Sequence, residues 1–152
     1  MKIDELYRKI ILDNYHNPFN KGLLFNEKEK KYLILEAKNI FCNEFIKIQI
    51  FFNQDNILDI RYETEGCVIL TASASLMSFF LKKIDLDLCI SKIDNFLKMV
   101  KNQKFDSEKI DKDLYSFKNI SFFPSKIHCV AMPWKLTSKI IKKYIKINLK
   151  NF

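Results

Sequence analysis

Arginine is almost missing from this chain. Of 26 basic residues only Arg8 and Arg61 are arginine, and the other 24 are lysine. The net charge is +8, but a groove that reads nucleic acid usually gathers arginine and aromatics on one face. Here lysine is spread along the whole length, so no nucleic-acid partner is expected. A basic nucleic-acid-binding module with structural zinc is kept only as a rival from another class. A long apolar run is missing too. The longest uncharged stretch, Gly66 to Leu81, has 16 residues, short of the ~20 that span a bilayer, and it carries several hydroxyls. The opening MKIDELYRKI mixes both signs of charge and has no apolar signal core. These absences lead us to expect a cytoplasmic protein without a membrane partner. Among the four cysteines there is no Cys-x-x-Cys pair, which excludes a zinc-finger pattern. Repeats and Gly- or Pro-rich linkers are absent as well, and 152 residues suit one domain spanning 1–152.

What is present is a globular pattern rich in Ile, Leu and Phe, with 48% hydrophobic residues, enough to build a core without disulfide staples. Residues 3–15 place Ile3, Leu6, Tyr7, Ile10 and Ile11 at helical spacing, and the helix should stop before Asn17-Pro18. Residues 19–31 read as a loop. Three strand-like segments follow, at 32–41, 45–52 and 57–64. In the second, Ile46, Ile48 and Ile50 share a face. In the third, Leu58, Ile60 and Tyr62 do. The turn residues NQDN between these two predict an antiparallel hairpin. The second half is helical. Residues 68–82 carry small side chains suited to close packing. Residues 86–100 carry an apolar stripe of Leu86, Cys89, Ile90, Ile93, Phe96, Leu97 and Val100. A short helix should start after Asp106, a good N-cap, with Ile110 and Leu114 inward. The last helix is expected from about His128 to Lys146, with Pro133 tolerated only in its first turn. The fold class is α+β: a small antiparallel sheet of about three strands packed against several helices.

Cysteines in a chain without a secretion signal point to thiol chemistry or metal rather than disulfides. Cys89 sits inside an apolar helical stripe and is read as a small hydrophobe. Cys42, Cys67 and Cys129 differ. Each lies at a junction: a strand end, a strand-to-helix turn after glycine, and the start of the last helix. From spacing alone a shared three-thiol site and three buried core cysteines both remain open. The pair Cys42-x-Glu44 poses the same choice between metal ligands and a thiol beside a surface acid.

The residues beside these cysteines carry a resemblance. LYRKIILDNYHNPFNKG (6–22), EGCVILTASASLM (65–77), ISFFPSKIHC (120–129) and WK (134–135) resemble the SufU/IscU/NifU-N-terminal family of iron–sulfur cluster assembly proteins, nearly end to end. The extra helical segment near 104–117 is similar to the SufU branch. The resemblance implies that Cys42, Glu44, Cys67 and Cys129 converge on one metal site, with zinc as the cofactor and Cys42 as the sulfur acceptor. It implies a PLP-dependent cysteine desulfurase as partner and a downstream Fe–S scaffold or apo-protein as receiver. The alternative is a scaffold that assembles a [2Fe–2S] cluster, or holds iron, on the same cysteines. Two departures stand out. The usual Cys-Gly-Asp is Cys42-Asn43-Glu44 here; asparagine is the best non-glycine substitute in a left-handed position, and glutamate adds a methylene. His128, directly before Cys129, is an IscU-like feature and a possible alternative ligand. Lys126 and His16 read as surface residues.

Overall fold

The computed structural model describes residues 2–25, 32–40 and 43–150. Three strands, β1 (Tyr32–Asn39), β2 (Glu44–Asn53) and β3 (Asn56–Glu65), form an antiparallel sheet in the order β1-β2-β3. The hairpin between β2 and β3 turns where the NQDN residues predict it, with Gln54 at φ 53°. Ile46, Ile48 and Ile50 are all fully buried on one face of β2. The corresponding expectation for β3 holds for Ile60 and Tyr62 but not for Leu58, which is exposed, while Ile57 is buried instead. The pairing explains this. Phe51 faces Asp59 and Phe52 faces Ile57, so Leu58 is an extra residue, a bulge that shifts the inward face by one position.

Helices α2 (Val68–Leu81) and α4 (Pro124–Lys150) pack against the sheet, while α1 (Ile3–His16) packs on α2 and α3 (Leu86–Val100) packs on α4. Two 3₁₀ segments, Ser107–Lys109 and Lys112–Phe122, stand where a short helix was expected. Asp106 caps the first by accepting from the Glu108 N–H, and Ile110 and Leu114 are buried as expected. On α1, Ile10 and Ile11 pack against the core, but Ile3 and Leu6 are exposed. The core-facing stripe of α3 holds, with Cys89 at its centre.

α2 is buried on every side from Leu70 to Ser78. Its Ala and Ser side chains let α1, α4 and β3 all approach it closely. A helix so enclosed must satisfy its hydroxyls internally. Ser75 donates to Asn14 Oδ1 and accepts from the Phe19 N–H. Ser78 bonds the Ser75 carbonyl. Tyr62 donates to the Phe19 carbonyl at 2.6 Å. Together these latch the segment after α1 onto the core.

α4 departs from expectation. It begins at Pro124 rather than near His128, so Pro133 lies in its interior. Pro124 suits the first helical position because its missing N–H has no helical partner there anyway. Pro133 is held by tertiary contacts instead: it is buried, and the adjacent Trp134 is fully buried and stacks on Phe96 with ring centroids 4.0 Å apart. Among the described residues, no helix is long and apolar enough to cross a membrane.

Candidate metal centre

Three elements end or begin at one place. Glu44 is the first residue of β2, Cys67 is the N-cap of α2, and Cys129 lies in the second turn of α4. Their ligand atoms, one carboxylate oxygen and two sulfurs, all lie within 4.8 Å of one another. Cys129 donates its S–H to Glu44 Oε1 at 2.9 Å. Glu44 and Cys129 are buried at 4% and 1% exposure. Cys67 is half-buried and opens the cluster outward.

The local chain conformation produces this convergence. Asn43, just before β2, has φ 52°, a left-handed position where asparagine is tolerated better than other non-glycine residues. Gly66 ends β3 at φ +143°, and a Cβ placed there would lie 2.9 Å from Glu44 Cγ. Gly66 therefore does more than break the strand. It leaves room for the extra methylene of Glu44, whose side chain folds across it toward the thiols. Gly66 reads in the sequence only as a strand breaker; no local pattern signals its contact with a residue 22 positions earlier.

Glu44 Oε2 is buried and has no hydrogen-bond partner among the described residues. Burying a carboxylate oxygen unsatisfied is unfavourable. Burial raises the Cys67 thiol above its ordinary value, and its hydrogen bond to Glu44 raises it further. Cys129 is raised by the same two causes in the same order, with Cys67 adding to them. Without a cation the two thiols keep their protons. The donor set fits a metal such as zinc: thiolates and one carboxylate are ordinary zinc ligands. Tetrahedral bonds of ~2.0–2.3 Å bring neighbouring donors roughly 3.5–3.8 Å apart, which the spacing of these three atoms allows. The orphaned Oε2 marks where a carboxylate still lacks a positive partner.

Cys42 lies outside the described residues; the nearest described residues along the chain are Ile40, which is exposed, and Asn43. Cys89 is not in the cluster. Its thiol points at the carbonyls of Leu81 and Ile84, and burial, aided by Asp85, pushes it up to about 12. His128 is exposed and lies outside the cluster. It lines a neighbouring groove of about 600 Å³ with the end of β1 and with Met132, Lys135 and Lys139 of α4. Lys126 and His16 are exposed.

The family model described as the NifU-like N terminal domain matches residues 6–151. The chain belongs to this NifU-like family. It is a family of iron–sulfur cluster assembly proteins. One NifU-like relative, the zinc-dependent sulfurtransferase SufU of Bacillus subtilis, is 31% identical over 141 residues, covering 93% of this chain and 92% of that protein. Another, the iron–sulfur cluster assembly scaffold protein IscU of Streptococcus pyogenes, is 25% identical over 142 residues, covering 93% and 86%. The NifU-like fold also superposes on the crystal structure of a hypothetical protein with a TM-score of 0.80 at 25% identity, over 92% of this chain and 99% of that one.

Proposed function

We propose that this protein accepts sulfur from a PLP-dependent cysteine desulfurase at a zinc–thiolate centre made by Cys42, Glu44, Cys67 and Cys129. The observation that carries this reading is the convergence of Glu44, Cys67 and Cys129 with ligand atoms within 4.8 Å, around a carboxylate oxygen that has no partner among the described residues. The 31% identity to a zinc-dependent sulfurtransferase supports it further. Zinc, when bound, holds cysteines as oriented thiolates at neutral pH. In this reading Cys42 is the acceptor, freed when a group from the partner takes its place. The Cys42 thiolate attacks the outer sulfur of the persulfide on the desulfurase. A new S–S bond forms at Cys42, the partner's S–S bond breaks, and the partner cysteine leaves as a thiolate. No oxidant or reductant is consumed. Glu44 gives the site a hard, exchangeable oxygen beside soft sulfurs. The sulfur then passes to a downstream Fe–S scaffold or apo-protein in the cytoplasm.

The competing reading is a scaffold that builds a [2Fe–2S] cluster on the same cysteines, with His128 as an added ligand. Metal analysis and the visible spectrum after anaerobic purification separate the two. Stoichiometric zinc in a colourless protein that stimulates its desulfurase is the expected result. A red-brown cluster passed to an apo-acceptor supports the scaffold instead. Desulfurase turnover unaffected by Cys42→Ala would remove the sulfur-acceptor role.

A further inference from the structure

α4 presents Cys129 on a turn that lacks part of its own support. Pro133 has no N–H, so the Cys129 carbonyl four residues before it has no helical donor. The turn is held from outside, by α2. Ser73 Oγ donates to the Val130 carbonyl at 2.7 Å and accepts from Trp134 Nε1 at 3.0 Å. Both bonds are buried, and Ser73, Val130 and Trp134 have no exposed surface. One hydroxyl thereby uses its donor and an acceptor on the two residues that follow Cys129 and Pro133. On its own helix, Ser73 stands less than two turns from Cys67, the N-cap. The same side chain therefore reaches from the Cys67-bearing helix to the Cys129-bearing turn. No other hydroxyl of α2 does this. Ser75 and Ser78 face α1 and the segment after it, and Thr71 bonds Thr64 of β3. Another polar tie between these helices, Thr137 to Met77 Sδ at 3.1 Å, lies two turns further along α4 from Cys129.

We infer that Ser73 is a positioning residue for the metal centre, setting where the Cys129 sulfur stands relative to Cys67 and Glu44. The inference rests on the metal reading above, and the test keeps the two separable. Ser73→Ala is compared with Thr137→Val, a near-isosteric change in the same helix pair, and with Trp134→Phe, which removes one of the two bonds. Zn²⁺ affinity is read by chelator competition, and site geometry by the sulfur-to-metal charge-transfer and d–d bands of added Co²⁺. The alkylation rates of Cys67 and Cys129 are read in metal-free protein, all at a temperature where every variant is folded. Ser73→Ala should lower Zn²⁺ affinity at least ~10-fold, weaken the Co²⁺ bands and speed Cys129 alkylation several-fold with little change at Cys67. Trp134→Phe should move each readout the same way by less, and Thr137→Val should move none beyond its loss of stability. Wild-type Co²⁺ bands, affinity within twofold and unchanged Cys129 alkylation in Ser73→Ala would overturn the positioning role. Selective Cys129 alkylation in a protein that binds neither metal even as wild type would leave the positioning standing and sink the metal reading.

Discussion

Cys89 and Cys129 are equally hidden, at 0% and 1% exposure, and burial raises both thiols. What differs is what each sulfur faces. Cys89 looks onto two backbone carbonyls inside an apolar stripe of α3. Cys129 looks onto a carboxylate and lies close to a second cysteine. Burial alone thus does not distinguish a structural thiol from a chemical one. The distinguishing mark is a buried carboxyl group beside it, with one oxygen that no described residue bonds, an arrangement that a cation would complete.

The largest expected break in this comparison is at the metal. Cys129→Ser should lower Zn²⁺ affinity at least ~100-fold, the loss of a thiolate ligand, whereas Cys89→Ser should leave it within about twofold. Chelator competition on both variants checks this, and equal losses would erase the distinction. Next comes the backbone that lets Glu44 reach the thiols. Gly66→Ala adds a Cβ 2.9 Å from Glu44 Cγ at φ +143°, and should cost about 2–4 kcal/mol in urea unfolding, with zinc affinity falling alongside.

A smaller effect should separate the thiols by pH. The Cys89 thiol stands at about 12 in the folded protein against an ordinary 9.0. Below pH 9 both states keep the proton and the thiol adds no pH dependence. Above pH 9 the unfolded chain ionises while the folded one does not, so stability falls as pH rises, by up to about 1.4 kcal/mol per unit until the folded thiol also ionises. Cys89→Ala should lack this component, so its stability deficit relative to wild type should shrink between pH 9 and pH 11 in urea titrations. A constant difference would mean that Cys89 does not stay protonated. The smallest effect belongs to His128. With its ring exposed beside the groove, His128→Ala should change Zn²⁺ affinity less than about threefold. A drop of tens of fold would make it a ligand and favour the scaffold.

Much of the fold is legible because its signals are local. Alternation marks Ile46, Ile48 and Ile50, a helical stripe marks α3, and Asp106 announces its cap. The failures are where distant contacts override local rules. Leu58 is displaced by a bulge set by pairing with β2, so the inward position before the bulge is Ile57, while Ile60 and Tyr62 after it keep the expected face. α4 accepts an internal Pro133 because Ser73 and Phe96 hold the turn around it, and no window of sequence displays those partners. The cluster itself was half legible. Motif resemblance singled out Cys42, Glu44, Cys67 and Cys129; the fold brings the last three together, and Cys42 lies outside the described residues. Spacing could not have done so, since β2, α2 and α4 meet only through the fold. Gly66 was visible as a turn but not as the space Glu44 occupies.

Two side-chain contacts between β2 and α4 lie far apart along both elements. Glu44 meets Cys129 at one end. At the other, Phe52 stacks on Tyr144 at 4.0 Å, and the Tyr144 hydroxyl bonds the Gln54 carbonyl. Eight residues of strand span about 26 Å and fifteen of helix about 22 Å. The carboxylate–thiol gap is therefore the remainder of two rulers pinned together at the hairpin. Inserting or deleting a single residue anywhere along either one, even far from any cysteine, would pull the sulfur and the oxygen out of alignment.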